Sequence, residues 1–398
     1  MKKEDVIEEV YDYEWRLSNA EKRLSESQII SSEDKETVRR FVQHLKAQGV
    51  STGRLAKYTY HLKNAIERLG TSVQQAKRAD IEGLVAWLQH DSGYTPHTIS
   101  DYLFAIKRFF KFARCGNVDR ETPYPEEVRW VKTAMKPNER KEPLFFTSEE
   151  VEAMIKAATN LRDKAMLAVG YEAGLRATEL LTLNIGSVVF DDRGARLHIE
   201  RGKTGSRVVR LITSVSLLAR YLEVHPFRNE PSSPLWLTES TNYMNHRLSW
   251  VRWNRCLKQV AQRAGVKKRV FNHMLRHGSA TRNAKFLTDS ELKLMYGWSM
   301  SSKMPAVYVH LSGRDLDDKL TALYAGKEVE PIKPEFTPII CPRCNERASR
   351  GMVYCPKCAS PLDDVARSRM QVEDETTRDE LTKLRKVVEK YLSDAPTS

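Results

Sequence analysis

No apolar run in this chain approaches the roughly 20 residues that a membrane helix needs, so a transmembrane role is not expected. A secretory leader is missing as well: Met1 to Tyr11 is charged and has no apolar stretch, which leads us to expect a cytoplasmic, reducing setting. Cysteine is sparse, with six in 398 residues, and in a reducing compartment a disulfide scaffold is not expected. No internal repeat is apparent. Acid is absent from one window: between Gly265 and Thr288 there is no Asp or Glu, while Lys267, Lys268, Arg269, Arg276, Arg282 and Lys285 all fall inside it. The chain carries a formal charge of +13. An excess of Lys and Arg gains affinity for a polyanion by releasing counterions from phosphate, so the expected partner is nucleic acid.

What is present divides the chain by pattern. Helical spacing runs over 6–24, 31–48, 52–69, 78–90 and 98–113, with Ser31 and Ser32 as N-caps and Gly49 as a stop. The last of these segments carries Lys107, Arg108 and Lys111 among aromatic residues, read as phosphate contacts beside a core stripe. Between 116 and 146, Pro123, Pro125, Pro137 and Pro143 lie among charges, a composition that suits a linker. Thr147-Ser-Glu-Glu150 is a capping box that opens a second domain, with helices at 147–158 and 161–174. The period then changes to two, giving strands at 187–190, 196–200 and 207–212. Helical segments resume at 247–264 and 289–296, and a charged terminal helix covers 373–392. The expected fold class is mainly α with a small antiparallel β-sheet (α+β). Its parts are a helical extension (1–30), a helical domain (31–116), a linker (117–146), a catalytic domain (147–328), a cysteine module (338–362) and a docking helix (370–393).

Breaking a phosphodiester without metal requires fixed cations on the nonbridging oxygens, an in-line nucleophile and an acid for the leaving alkoxide. The second domain supplies candidates in order. Arg176 lies in Gly174-Leu-Arg-Ala-Thr-Glu179, Lys203 between two glycines, His273 and Arg276 in His-Met-Leu-Arg, Trp298 after Gly297, and Tyr308 in Tyr-Val-His310. His273 and Arg276 are three apart and so share a helix face. This ordered set resembles the tyrosine recombinase (phage integrase) family, in its archaeal Xer-like or mobile-element branch, and the preceding helical domain resembles that family's SAM-like core-binding domain. The resemblance implies a site-specific recombinase that works through a 3′-phosphotyrosyl intermediate in integration, excision or chromosome dimer resolution, without ATP or a catalytic cofactor. Tyr308 would attack, Arg176 and Arg276 would clamp the phosphate, Lys203 would protonate the leaving oxygen, and His273 would accept or orient the tyrosine proton. Trp298 would donate its indole N–H to a phosphate oxygen, and Glu179 would hold Arg176. Trp298 and Tyr308 are ten residues apart, where the family usually has nine, which keeps Tyr296 and Tyr324 in view as substitutes. His277 and His310 are read as structural.

Cys341-x2-Cys344 and Cys355-x2-Cys358 have the spacing of a zinc ribbon, in which four thiolates close a tetrahedral structural site. The expected partners are double-stranded DNA and further copies of the chain, as a tetramer on two DNA sites. Two other readings stand beside recombination: a DNA-binding regulator or architectural protein without cutting activity, and a relaxing topoisomerase.

Overall fold

The computed structural model describes residues 3–133, 144–200, 205–239, 244–311, 324 and 335–393. They fall into two compact units, Tyr11–Lys141 and, together, Met1–Val10 with Glu142–Ser398. The division runs through the N-terminal segment. Helix α1 (Lys3–Tyr11) and α2 (Tyr13–Glu26) are separated by Asp12, whose left-handed backbone (φ 55°) ends the helical path. Val6 and Val10 are buried, and Glu9 accepts a 2.9 Å hydrogen bond from Arg247 Nε, so α1 belongs to the second unit. Helix α2 buries Leu17, Ala20 and Leu24 within the first unit. The expected single extension is therefore two helices with different loyalties.

The first unit is all helical: α2, α3 (Ser32–Ala47), α4 (Thr52–Leu69), α5 (Arg78–His90), α6 (Pro96–Cys115) and the short α7 (Glu126–Arg129). Ser31 caps α3 by accepting from Asp34 N–H, and Thr95 caps α6 ahead of Pro96, a residue suited to a first turn; α6 thus starts before the expected 98. The core is aromatic, with Phe41 meeting Tyr58, Phe109 and Phe112 at centroid distances of 5.5–5.7 Å. Part of the expected linker joins it, because Val128 and Val131 are buried in the same core.

In the second unit, Thr147 and Glu150 form the expected capping box at the start of α8 (Ser148–Ala157). Helix α9 (Leu161–Ala173) is buried nearly all round, α10 (Ala177–Leu181) follows, and an antiparallel sheet β1–β2–β3 (Val188–Asp191, Gly194–Ile199, Arg207–Leu211) lies beyond. Its register pairs Val188 with Leu197 and Leu197 with Val209, which puts one apolar row on the core side. Then come α11 (Val215–Glu223), α12 (Trp250–Arg263), α13 (His273–Asn283), α14 (Asp289–Tyr296) and α15 (Met304–Leu311). The cysteine module contains β4 (Ile339–Ile340) and β5 (Arg347–Ala348), and the terminal helix α16 (Asp364–Ser393) starts earlier than expected because Asp363 accepts from Ala366 N–H. Leu381 and Leu384 of α16 are exposed, so the described part of its apolar seam docks nowhere on this chain. No described helix is long and apolar enough to cross a membrane.

Candidate active site

The site is built around a buried carboxylate. Glu179, 2% exposed, accepts from the backbone N–H of Arg176 (2.9 Å), which starts α10, and from the Arg176 guanidinium (2.7 Å). Arg207 opens β3 and grips the same carboxylate with both terminal nitrogens (2.9 and 2.8 Å), while its Nε donates to Met295 O. Burial pushes Glu179 up, but the Arg207 and Arg176 hydrogen bonds and the charge of Arg207 prevail and hold its pKa at about 2. An acid that stays ionised at neutral pH thus fixes two arginines in place.

Arg276 is turned inward on α13. Its guanidinium donates to Gly174 O (2.9 Å) and Tyr296 O (2.6 Å), and it lies over the rings of Tyr296 (5.2 Å) and Trp298 (5.4 Å). Desolvation, then the nearby Arg176, lowers its pKa to about 10, which leaves it cationic at neutral pH. Gly174 is required at the crossing: its φ is +58°, and a Cβ there would stand 2.2 Å from the Tyr296 ring. Arg176 reaches the same place by donating to Gly297 O (3.0 Å).

Tyr308 is 1% exposed on α15. Its ring stacks on Trp298 (5.4 Å, 7°), and its Oη lies 2.6 Å from Nδ1 of His277. Burial raises the phenol to a pKa of about 12, with Arg276 pulling the other way. The two substitute tyrosines are placed differently. Tyr296 is engaged internally, with its Oη 2.8 Å from Ser279 Oγ and accepting from Asn283 Nδ2, whereas Tyr324 is 86% exposed. His273 starts α13 on the open side, its ring 6.0 Å from that of His277. Lys203 lies outside the described residues, but β3, the strand that follows it, is tied to Glu179 through Arg207.

Residues 144–314 match the phage integrase family, and residues 38–116 match the phage integrase N-terminal SAM-like domain. The tyrosine recombinase XerA of Pyrococcus horikoshii is 28% identical over 243 residues, covering 61% of this chain and 77% of its own. The crystal structure of XerH site-specific recombinase bound to a palindromic difH substrate superposes with a TM-score of 0.54 at 17% identity, over 78% of this chain and 95% of that one. A lambda integrase tetramer bound to a Holliday junction does so with 0.54 at 17%, over 71% and 78%.

The chain belongs to the phage integrase family of tyrosine recombinases.

Within this family site, the structure gathers Arg176, Arg276, Trp298 and Tyr308 around one cluster, with Glu179 behind the arginines. One neighbour, Arg207, was missed from sequence, and another, His277, was read as structural. Arg207 has a readable signal: Arg207, Val209 and Leu211 share a strand face, so a charge at the end of a buried row must find an acid. His277 has one as well, since it lies one turn after His273 on α13, but a bare sequence cannot say that α15 packs there. Among the basic residues proposed for DNA, Lys267 and Arg269 are exposed, while Lys268 bonds Phe145 O and Glu150. In the helical unit Lys107 donates to Val131 O, and Arg108 bonds Tyr58 and Gln48. Lys111 is 3% exposed, bonded to Asp119 O, and tethers its own loop rather than facing solvent.

The sulfurs of Cys341, Cys344, Cys355 and Cys358 lie within 4.8 Å of one another. Tetrahedral zinc with bonds of about 2.3 Å needs sulfurs about 3.8 Å apart, which these residues fit. Two matching turns present them: Asn345 N–H bonds Cys341 O and Ala359 N–H bonds Cys355 O, each turn residue having φ 57°. The module is fastened to α8 and α11. Arg350 bonds Glu152, Ser216 bonds Arg347 O, and Gly351 packs so tightly on Ile155 that a Cβ would come within 2.5 Å.

Proposed function

We propose that this chain cuts and rejoins double-stranded DNA at particular sites, with Tyr308 as the nucleophile. The observation that carries the reading is the clustering of Tyr308, Trp298, Arg276 and Arg176 around a carboxylate that keeps both arginines oriented. Tyr308 Oη bonds to phosphorus while the bond to the 5′ oxygen breaks, leaving a 3′-phosphotyrosyl link and a 5′-hydroxyl. Lys203 supplies the proton to that oxygen. Arg176 and Arg276 take the nonbridging oxygens as planar forks, a task a point charge performs less well. Trp298 donates its indole N–H to the same phosphate. The energy of the broken bond stays in the phosphotyrosyl link, so a partner strand's hydroxyl reverses the step without ATP.

Exchange of four strands calls for four active sites, and we propose a tetramer on two DNA sites, an arrangement in keeping with the lambda integrase complex above. Lys107, Arg108, Lys267, Lys268 and Arg269 are proposed as phosphate contacts. The cysteine module is proposed to hold a structural zinc ion and to brace α8 and α11, in a reducing cytoplasm that keeps its thiols available.

The test is a nicked suicide duplex from the native locus, incubated with the chain and its Tyr308→Phe variant without metal or ATP. A denaturation-resistant adduct formed by the first and absent from the second is the expected result. Tight binding with no adduct from the unaltered chain would leave the non-cutting DNA-binding reading standing instead.

A further inference from the structure

The nucleophile's hydroxyl has one close partner among the described residues, and it is His277. The imidazole is neutral at pH 7, and in the tautomer that carries its hydrogen on Nε2 the phenolic Oη donates to Nδ1. We propose that His277, and not His273, receives the proton of Tyr308 during strand cleavage and returns it during rejoining. This rests on the recombinase reading above and deepens it.

The geometry is that of a held nucleophile and a held acceptor. Trp298 stacks on one face of Tyr308, and the Nδ1 to Oη distance of 2.6 Å is within reach for proton transfer. The His277 ring is fixed edge-on against Phe271 (6.3 Å) and His273 (6.0 Å). The groups facing this pair are His273 and Arg276 from α13 and Tyr296 from α14, with Arg176 at the start of α10 acting on His273 and Arg276 in turn. Burial first, then His273 and Arg276, lowers the His277 pKa to about 4, so its acceptor form is present at any pH well above that value.

The same surroundings make the acceptor respond to substrate. Burial, and after it the positive charge beside His277, keeps it a weak base while the site holds no phosphate. A phosphodiester placed between Arg176 and Arg276 offsets that charge, and the imidazole becomes more basic when there is work for it. In the step itself, the Oη–phosphorus bond forms, the bond to the 5′ oxygen breaks, the phenolic proton moves to Nδ1, and the leaving oxygen takes its proton from Lys203. Rejoining runs each transfer backwards.

His277→Asn separates the roles, because its Oδ1 keeps an acceptor near the position of Nδ1 yet cannot take the proton. Single-turnover adduct formation on the nicked duplex is followed from pH 6 to 9, with DNA binding measured alongside. The unaltered chain is expected to show a flat profile. His277→Asn is expected to bind DNA normally, to cleave at least about 100-fold more slowly at pH 7, and to gain close to tenfold per pH unit as attack waits for an ionised phenol. Normal rates with an unchanged profile in His277→Asn would overturn the proposal and leave the recombinase reading intact. No adduct from the unaltered chain would overturn both. Should His277→Asn fail to bind DNA, His277→Ala with added imidazole decides: recovery that tracks neutral imidazole supports the role, and no recovery removes it.

Discussion

In the helical unit the interior is mostly carbon: Phe41 meets Tyr58 and Phe109 edge to face and Phe112 at a tilt, and Asp34 and Lys111 are the charged groups buried among the described residues. The second unit buries Arg162, Asp163, Glu172, Glu179, Arg247, Arg276 and Arg282. Each of these has partners of its own. Glu172, for example, accepts from the backbone N–H groups of Ile212, Thr213 and Ser214 and so anchors the turn from β3 into α11. The contrast shows where the demands of chemistry enter. A carbon interior tolerates exchange among shapes of similar volume, whereas an interior of paired charges fails when one partner is removed. On the proposed function, Glu179 and Arg276 carry that risk because they hold cations where a phosphate would sit.

The largest break in the contrast is expected at the cysteine module, whose few buried side chains include two of its four clustered cysteines, Cys341 and Cys355. Structural zinc in small modules contributes about 10–16 kcal/mol of apparent binding energy, which is there folding energy. Elemental analysis should therefore find one zinc per chain, and a strong chelator should bring fast amide exchange to 339–361 while 32–115 stays protected. Metal-free protein with the same protection at 339–361 would refute the zinc assignment.

Next in size is Glu179→Gln, which keeps the shape and removes the charge between Arg176 and Arg207. Breaking a buried pair in this way costs about 3–5 kcal/mol, and urea unfolding should show it together with loss of adduct formation. Leu45→Met in the helical core, a swap of similar volume, should cost under about 1.5 kcal/mol and leave the adduct rate unchanged. Equal costs for the two would erase the distinction drawn between the units.

Acid should separate the units by pH window. His61 in the helical unit and His277 in the other are both depressed from 6.5 to about 4, chiefly by burial, so each native state resists a proton that its unfolded chain takes up. Stability tied to them is full above about 6.5 and falls as pH drops towards 4, by about 3 kcal/mol each on linkage. Glu179, lowered from 4.5 to about 2, adds a large loss between those values in the second unit, while Glu67 and Glu127 of the helical unit are lowered in the same direction. Replacing His61 with Leu should remove the higher window from unfolding of the helical unit, followed by the fluorescence of Trp87. An unaltered acid transition would refute this role for His61.

How much of this was legible follows the same division. The helices of the first unit read directly from apolar spacing and caps such as Ser31, because burial of carbon follows local period. The sheet and the Thr147 capping box of the second unit were legible for the same reason. The ordered set from Arg176 to Tyr308 was visible as residue types. What joined them was not, because Arg207 meets Glu179 across 28 residues of sequence and His277 meets Tyr308 across 31. Contacts of that range depend on which helices pack together, and the inward turn of Lys111 is hidden likewise: its charge suggested solvent, while its position on α6 faces the loop at Asp119.

At helix ends the contrast should vanish, since a cap is a local device. Thr147 accepts from Glu150 N–H at the start of α8, and Ser31 accepts from Asp34 N–H at the start of α3. Removing either hydroxyl leaves one backbone donor to water at a cost of about 1 kcal/mol. Thr147→Ala and Ser31→Ala should thus shift denaturant midpoints by similar small amounts, each in its own unit, with slopes unchanged. A much larger cost for Ser31→Ala would point to Asp34, whose Oδ2 receives the Ser31 hydroxyl while its Oδ1 accepts from the buried Val73 N–H. In that case the helical unit would also rest on a buried charge, and the difference between the two interiors would be one of number rather than of kind.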